Sequence, residues 1–187
     1  MQALPSEVRP AVAADSPGIR SVLQAAFGEA QGDEIGQLVS DLTADAEATP
    51  QYSLVAERGD RVLGHVLFTP VELSNSSGGA PAQILAPLAV HPDAQGQGIG
   101  GQLIAEGLRR AGEDGGAGLV FVLGDPGYYR RHGFISAQTH GLAAPYPIPA
   151  EHAEAWMVQE LRPGVLEKAS GVVECAAALM EAKHWVE

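Results

Sequence analysis

The chain has 187 residues and carries 11 Lys+Arg against 23 Asp+Glu, a formal charge of −12 with histidine neutral. That length suits one domain of ordinary size, and 45% hydrophobic against 18% charged residues excludes a disordered chain. The acidity argues against a nucleic-acid partner and against docking on an anionic membrane, since both need a basic face.

Met1 to Pro10 has no basic run followed by an apolar stretch, so no secretory signal is expected. Glu7 to Ala13 reads as a first strand. Asp15-Ser16-Pro17 supplies a cap and a proline for the first turn of a helix. Ile19, Val22, Leu23, Ala26 and Phe27 then mark one apolar helix face, which Gly28 ends. A second helix is expected from Asp33 to about Asp45, buried through Ile35, Leu38, Val39 and Leu42, with Asp33 and Glu34 at its dipole-favoured start. Tyr52–Glu57 and Val62–Leu73 flank the turn Arg58-Gly59-Asp60-Arg61 and predict a hairpin. A polar loop, Ser74 to Pro81, leads to a third strand, Gln83 to Val90. A glycine-rich turn and a helix from Gly98 to about Ala111 follow. The apolar run Leu119–Leu123 has the composition of a fully buried strand. Strand, crossover helix and strand make a βαβ unit whose two strands are expected to be parallel neighbours. Ala144 to Ala150 reads as an ordered loop, and Ala176 to Trp185 has a helical composition.

Cys175 is the single cysteine, which leaves no intrachain disulfide or thiolate metal cluster and favours a reducing cytoplasm. His132 and His140 lack metal-ligand partners at useful spacing, so no metal is expected. No window approaches the roughly 18 apolar residues of a spanning helix.

The segment Gln95-Gly96-Gln97-Gly98-Ile99-Gly100-Gly101 carries the most chemistry. Its glycines let main-chain N–H groups converge on an anion at a helix start. A P-loop is excluded because no Gly-Lys-Ser/Thr follows. Gly96, Gly98 and Gly101 do satisfy the dinucleotide spacing, and Asp125 ends the next strand as a ribose-binding acid would. Against that reading, five residues, His91 to Gln95, separate the strand from the first glycine. Too little chain follows for a doubly wound sheet.

Leu88-Ala89-Val90-His91-Pro92 followed by Gln95-x-x-Gly98-x-Gly100 resembles the acyl-CoA-binding motif of the GNAT superfamily of N-acetyltransferases. Tyr129-Arg-Arg-His-Gly133-Phe134 is similar to that superfamily's Y-x-x-x-G-F signature. Gly124-Asp125-Pro126 before Tyr128-Tyr129 resembles a bacterial branch reading G-D-P-x-Y-Y. Gly64-His65-Val66, Leu85–Val90 and Met157-x-x-Glu160-Leu161-x-Pro163-Gly164 extend the likeness, which covers about Val8 to Gly171.

The resemblance implies an α/β (α+β) fold: a mixed, mostly antiparallel sheet flanked by helices, with a βαβ cofactor unit. It implies one acetyltransferase domain over residues 1–187. Within it, residues 1–50 hold a strand and two helices, 51–90 antiparallel strands, 91–135 the CoA-binding unit and catalytic tyrosine, and 136–187 further strands and a tail. The implied activity is acetyl transfer from acetyl-CoA to a primary amine of a small molecule or protein. The pyrophosphate would be held by Gln95, Gly96, Gln97, Gly98, Ile99, Gly100 and Gly101. Pantetheine would lie along Leu88, Ala89 and Val90, with a main-chain N–H near Leu88 or Ala89 facing the thioester oxygen. Tyr129 falls at the general-acid position.

The general base stays open. Many members carry a glutamate on the strand before the glycine turn, but Ile84 to Val90 contains no carboxylate. Glu34, His65 and Asp125 are the candidates, each with a plain structural alternative as dipole partner, half-buried strand residue or cap. The asparagine common at the end of the fifth strand is replaced here by Gly124-Asp125. A non-catalytic acyl-CoA-binding regulator is the rival reading, with a dinucleotide-binding oxidoreductase more distant. A homodimer is compatible with either. The charge is also uneven: Met1 to Pro50 holds eight acids and two bases, whereas Leu88 to Ile135 holds five acids and four bases. The acids gather away from the proposed polyanion site, in segments that the resemblance places at the acceptor side, and on that resemblance a cationic or amine-rich acceptor is expected.

Overall fold

The computed structural model describes residues 5–75 and 79–186. Residues 1–4 of the segment read for a secretory signal, residues 76–78 of the expected loop, and residue 187 lie outside them. Strand β1 (Glu7–Pro10) is shorter than expected, because a 3-10 turn at Ala13–Asp15 intervenes before the first helix. The turn is pinned by Asp15, which accepts the Val12 N–H at 2.7 Å and pairs with Arg9 at 2.8 Å. Helix α1 (Ser16–Phe27) ends at Gly28 as expected.

Helix α2 (Glu29–Ala44) begins four residues before Asp33. Gly28, at φ 86°, closes one helix and opens the next, a left-handed conformation that glycine adopts without steric cost. Gly32 then rests on the α1 backbone at Gln24, where a Cβ would not fit, so the two helices pack tightly at their junction. Ile19, Val22 and Leu23 of α1 and Leu38, Val39 and Leu42 of α2 are buried as their spacing predicted.

Strands β2 (Tyr52–Arg58) and β3 (Arg61–Leu73) form the expected hairpin, and β4 (Ala82–Val90) pairs antiparallel to β3. Helix α3 (Ile99–Glu113) crosses over to β5 (Leu119–Leu123), which runs parallel to β4. After α4 (Pro126–Tyr129) come the short strands β6 (Ile135–Ser136) and β7 (Leu142–Ala143), then β8 (Trp156–Glu160), α5 (Val165–Lys168) and β9 (Gly171–Cys175). The sheet order is β1-β2-β3-β4-β5-β8-β6, with β9 paired to β3 and β7. This is the mixed, mostly antiparallel sheet that the resemblance implies.

Neighbouring strand residues alternate between two apolar clusters. Val55, Leu67, Ile84 and Phe121 pack with α1 and α2, while Leu54, Val66, Phe68 and Val120 pack with α3. Both faces are therefore covered. The segment Ala176–Val186 forms two 3-10 turns, Ala177–Leu179 and Ala182–Trp185, in place of one helix. Trp185 is 2% exposed and meets Trp156 edge-on at 5.6 Å, so both tryptophans belong to the core. Among the described residues no helix is long and apolar enough to cross a membrane.

One feature of the sheet positions the site. β4 and β5 pair only from Ala82/Leu119 to Ile84/Phe121, after which no ladder joins them. The β3–β4 register also shifts opposite Ala86-Pro87, and Pro87 has no N–H to offer a neighbour. From Leu85 onward, one edge of β4 is unpaired and a gap opens beside it.

Candidate active site

Two cavities border this gap. The first, about 560 Å³, is lined by Leu88 and Val90 of β4, by the glycine turn, and by Tyr128, Arg131 and His132. Helix α3 starts here, with Gly98 as its N-cap at φ 80°, ψ 5°. The first intrahelical bond runs from Gln102 N–H to Gly98 O, so the preceding N–H groups at Ile99, Gly100 and Gly101 lack intrahelical partners. Among the described residues no side chain caps them. They point from the positive end of a 15-residue dipole, which favours an anion. A Cβ on Gly100 would run into the Tyr128 hydroxyl, so this glycine makes room for the ring that walls the cavity.

The expected turn residues divide. Gln95, Gly96, Gly98, Ile99, Gly100 and Gly101 line the cavity, and Gln97 does not. Gln97 braces the loop instead, accepting from Arg58 at 3.0 Å and donating to Asp93 O at 3.1 Å. Gln95 Nε2 donates to Val90 O at 3.0 Å and ties the turn to the end of β4. On β4 the main chain divides by alternation. His91 N–H donates to Leu63 O at 2.8 Å on β3, so Ala89 N–H also turns toward β3. The N–H groups of Leu88 and Val90 face the gap. Of the two main-chain groups expected near the thioester, the Leu88 N–H faces the gap and the Ala89 N–H faces β3.

The second cavity, about 440 Å³, lies on the other side and shares Leu88. Its wall includes Glu34, Asp125, Tyr129, Lys183 and Trp185. Asp125 caps α4, its Oδ1 accepting the Gly127 N–H at 2.9 Å, as the Asp-Pro pair predicted. That cap presents Tyr128 and Tyr129 to different cavities, with their rings edge-on at 5.1 Å. Tyr129 is 9% exposed, and its ring lies against Phe134 and Gly124. Burial, and less strongly Tyr128, raises its phenol well above the ordinary tyrosine range. Among the described residues no protein group hydrogen-bonds its hydroxyl.

The three base candidates separate. Glu34 and Asp125 reach the second cavity. His65 does not: it is fully buried on β3, with Nε2 2.9 Å from Ser53 Oγ and Nδ1 without a partner among the described residues. The structure thus places it in the core, away from both cavities. Desolvation lowers its imidazole from 6.5 to about 4, opposed only by Asp15. Between those values the unfolded chain binds a proton that the folded chain refuses, so stability falls as pH drops through the window 6.5 to 4. The slope contributed is at most about 1.4 kcal/mol per pH unit. His65→Gln is expected to flatten that part of the pH–stability curve in urea titrations; an unaltered slope would assign it to other groups.

Glu34 pairs with Lys183 at 3.3 Å, and Lys183 also pairs with Glu181 at 3.0 Å. Lys183 and Trp185 come from the 3-10 turn Ala182–Trp185, in the segment whose composition predicts a helix. Among the arginine pairs, Arg109 and Arg110 are bound to Glu106 on α3, and Arg130 pairs with Glu154. Arg131 alone of the four reaches the first cavity, standing 5.2 Å over the Tyr128 ring. A further hollow of about 590 Å³ between α1 and α2 is lined by Ser16, Arg20 and Ser53, among others, and holds none of the candidate residues. Among the described residues no group of three metal-binding side chains assembles.

Comparison with known proteins agrees with this geometry. The acetyltransferase (GNAT) domain family matches residues 49–136. The uncharacterised N-acetyltransferase YjhQ of Escherichia coli K12 is 41% identical over 165 residues, 87% of this chain and 87% of that protein. The E. coli N-acetyltransferase YhbS is 35% identical over 169 residues, 89% of this chain and 94% of its own. Among solved structures, E. coli YhbS in complex with CoA has a TM-score of 0.83 at 32% identity, covering 97% of this chain and 95% of that one. A GNAT family acetyltransferase from Brucella melitensis in complex with acetyl-CoA has a TM-score of 0.70 at 34% identity, covering 94% and 98%. With the splayed β4 edge, the uncapped glycine turn and these relatives in agreement, the chain belongs to the GNAT family of acyl-CoA-dependent N-acetyltransferases.

Proposed function

We propose that the protein transfers the acetyl group of acetyl-CoA to a primary amine of a small molecule or protein, and that the acceptor is cationic or amine-rich. The observation that carries this reading is the pair of cavities sharing Leu88: one offers main-chain N–H donors, the other carboxylates and a buried phenol. The donor set fits CoA chemically. Uncapped N–H groups at the α3 start and the nearby Arg131 suit a pyrophosphate, and the free β4 edge suits an extended pantetheine arm. The solved CoA and acetyl-CoA complexes of the relatives support the same co-substrate.

In this reading the Leu88 N–H polarises the thioester carbonyl, and Tyr129 protonates the departing sulfur. Glu34 and Asp125 attract the acceptor's ammonium, and either carboxylate, directly or through water, takes its proton. The acid-rich first fifty residues and the carboxylates of the second cavity favour a positively charged acceptor.

The test is thiol release from acetyl-CoA against a panel of polyamines, aminoglycosides, amino acids and lysine peptides. Acetyl-CoA is expected to raise the melting temperature, and cationic amines are expected to give saturable thiol release. A melting response to acetyl-CoA without thiol from any amine would instead favour the non-catalytic regulator. A preference for neutral or anionic amines would overturn the charge argument alone.

A further inference from the structure

Lysine is rare in this chain. Of 187 residues only Lys168 and Lys183 are lysines, and Lys183 stands in the wall of the proposed acceptor cavity, with Tyr129, Asp125 and Leu88. Its position is held from both sides. Leu179 and Trp185 are buried, and Trp185 Nε1 donates to Leu179 O at 2.7 Å, which closes the segment between them into a fixed loop. From that loop the Lys183 side chain, 51% exposed, reaches Glu34 on α2. Its ammonium therefore occupies the place beside Glu34 that the acceptor's ammonium takes in the proposed reaction.

We propose that Lys183 Nζ is itself an acetyl acceptor: the enzyme acetylates its own Lys183 within one molecule, and the modification releases Glu34 for the external amine. The inference rests on the proposed transfer reaction and names a residue that the reaction modifies. The ammonium first loses a proton to solvent or a carboxylate. The amine lone pair then forms the C–N bond at the thioester carbonyl, and the C–S bond breaks with its electron pair on sulfur. Nitrogen sheds a second proton and the thiolate gains one. The products are acetyl-lysine, CoA thiol and one released proton. Acetylation removes the lysine charge, so the ion pair to Glu34 is lost and its carboxylate faces the cavity without an internal partner. The pairs to Glu181, and less strongly to Glu34, raise the Lys183 pKa, which keeps the unmodified side chain charged and makes the self-reaction slow beside turnover of a better-placed amine.

The experiment incubates the full chain with acetyl-CoA alone and follows both lysines by peptide mass spectrometry. Lys168 is exposed and lines neither cavity, so it reports bulk chemical acetylation in the same sample. Lys183 is expected to acquire acetyl at least about tenfold faster than Lys168, a modest return for proximity to the donor. Its rate should saturate with acetyl-CoA and be independent of protein concentration. Lys183→Gln, which imitates the modified side chain, should lower the KM for a cationic amine by about two- to fivefold, the range an exposed ion pair supports. Equal labelling of both lysines, or a rate that rises with protein concentration, overturns self-acetylation. An unchanged KM in Lys183→Gln overturns the release of Glu34. Thiol release with external amines while Lys183 stays unmodified sinks this inference and leaves the proposed function standing. Binding of acetyl-CoA with no transfer to Lys183 or to any amine removes both.

Discussion

Tyr129→Phe is expected to lower kcat by about 10²-fold or more, the usual contribution of a positioned general acid, with CoA affinity within about twofold of the parent. The reason lies in what the substitution keeps. The Tyr129 ring is wedged against Gly124, edge-on to Tyr128 at 5.1 Å and to Phe134 at 5.6 Å, and phenylalanine preserves all three contacts. The hydroxyl has no hydrogen-bond partner among the described residues, so its loss leaves no buried group unpaired and the melting temperature should hold. The first cavity is walled by Tyr128, which is untouched. Only the proton source changes.

The pH profile separates this role from a structural one. A phenol raised by burial keeps its proton to higher pH than an ordinary tyrosine. The acid form therefore persists across the assay range, and kcat/KM of the parent should climb with pH as the acceptor amine deprotonates, with no decline below about pH 10 from this group. In Tyr129→Phe the same climb is expected at a uniformly lower level. Turnover equal to the parent's would remove Tyr129 from the chemistry, whatever its position in the cavity.

Much of this site is legible in sequence because its parts are local. The glycine turn, the Asp125-Pro126 cap and the two adjacent tyrosines each depend on residues within a few positions, so spacing alone aims them. The hairpin is equally local. The features that spacing does not show are set by contacts across the chain. Periodicity puts the start of α2 late because Glu29 to Gly32 carries no apolar stripe; the helix is held there by the Gly28 reversal and by Gly32 against Gln24. His65 reads as a half-buried strand residue because strand alternation identifies an outward face only where one face meets solvent. Here β3 is covered on both, and seven consecutive residues, Leu63 to Thr69, are buried. The 3-10 turns replaced a helix in the last segment because Leu179 and Trp185, six apart, must reach the same core. An α-helix would set them about 120° apart. Glu34 and Lys183 meet across nearly the whole chain, and no spacing rule brings such residues together.

Gly98→Val is expected to weaken acetyl-CoA binding by at least tenfold while leaving the chain folded. Gly98 sits at φ 80° with nothing within 4 Å of a Cβ built on it, so the substitution brings strain without a clash. A left-handed conformation costs an L-residue about 1–2 kcal/mol, more for a β-branched one. The turn relieves that strain by rotating its peptides, and the N–H groups that begin α3 swing off the anion's position. Since a ligand stabilises by RT ln(1 + [L]/Kd), tenfold weaker affinity at saturating acetyl-CoA removes about 1.4 kcal/mol of ligand-induced stability. The melting shift on adding acetyl-CoA should shrink accordingly. Gly116, at φ 66° and equally open, supplies the control. It lies in the loop between α3 and β5 and lines neither cavity. Gly116→Val should show similar intrinsic destabilisation with the full acetyl-CoA shift retained. Equal shifts in the two variants would mean that the geometry of the α3 start does not hold the co-substrate, and the anion site would have to be sought at Arg131 and the β4 edge instead.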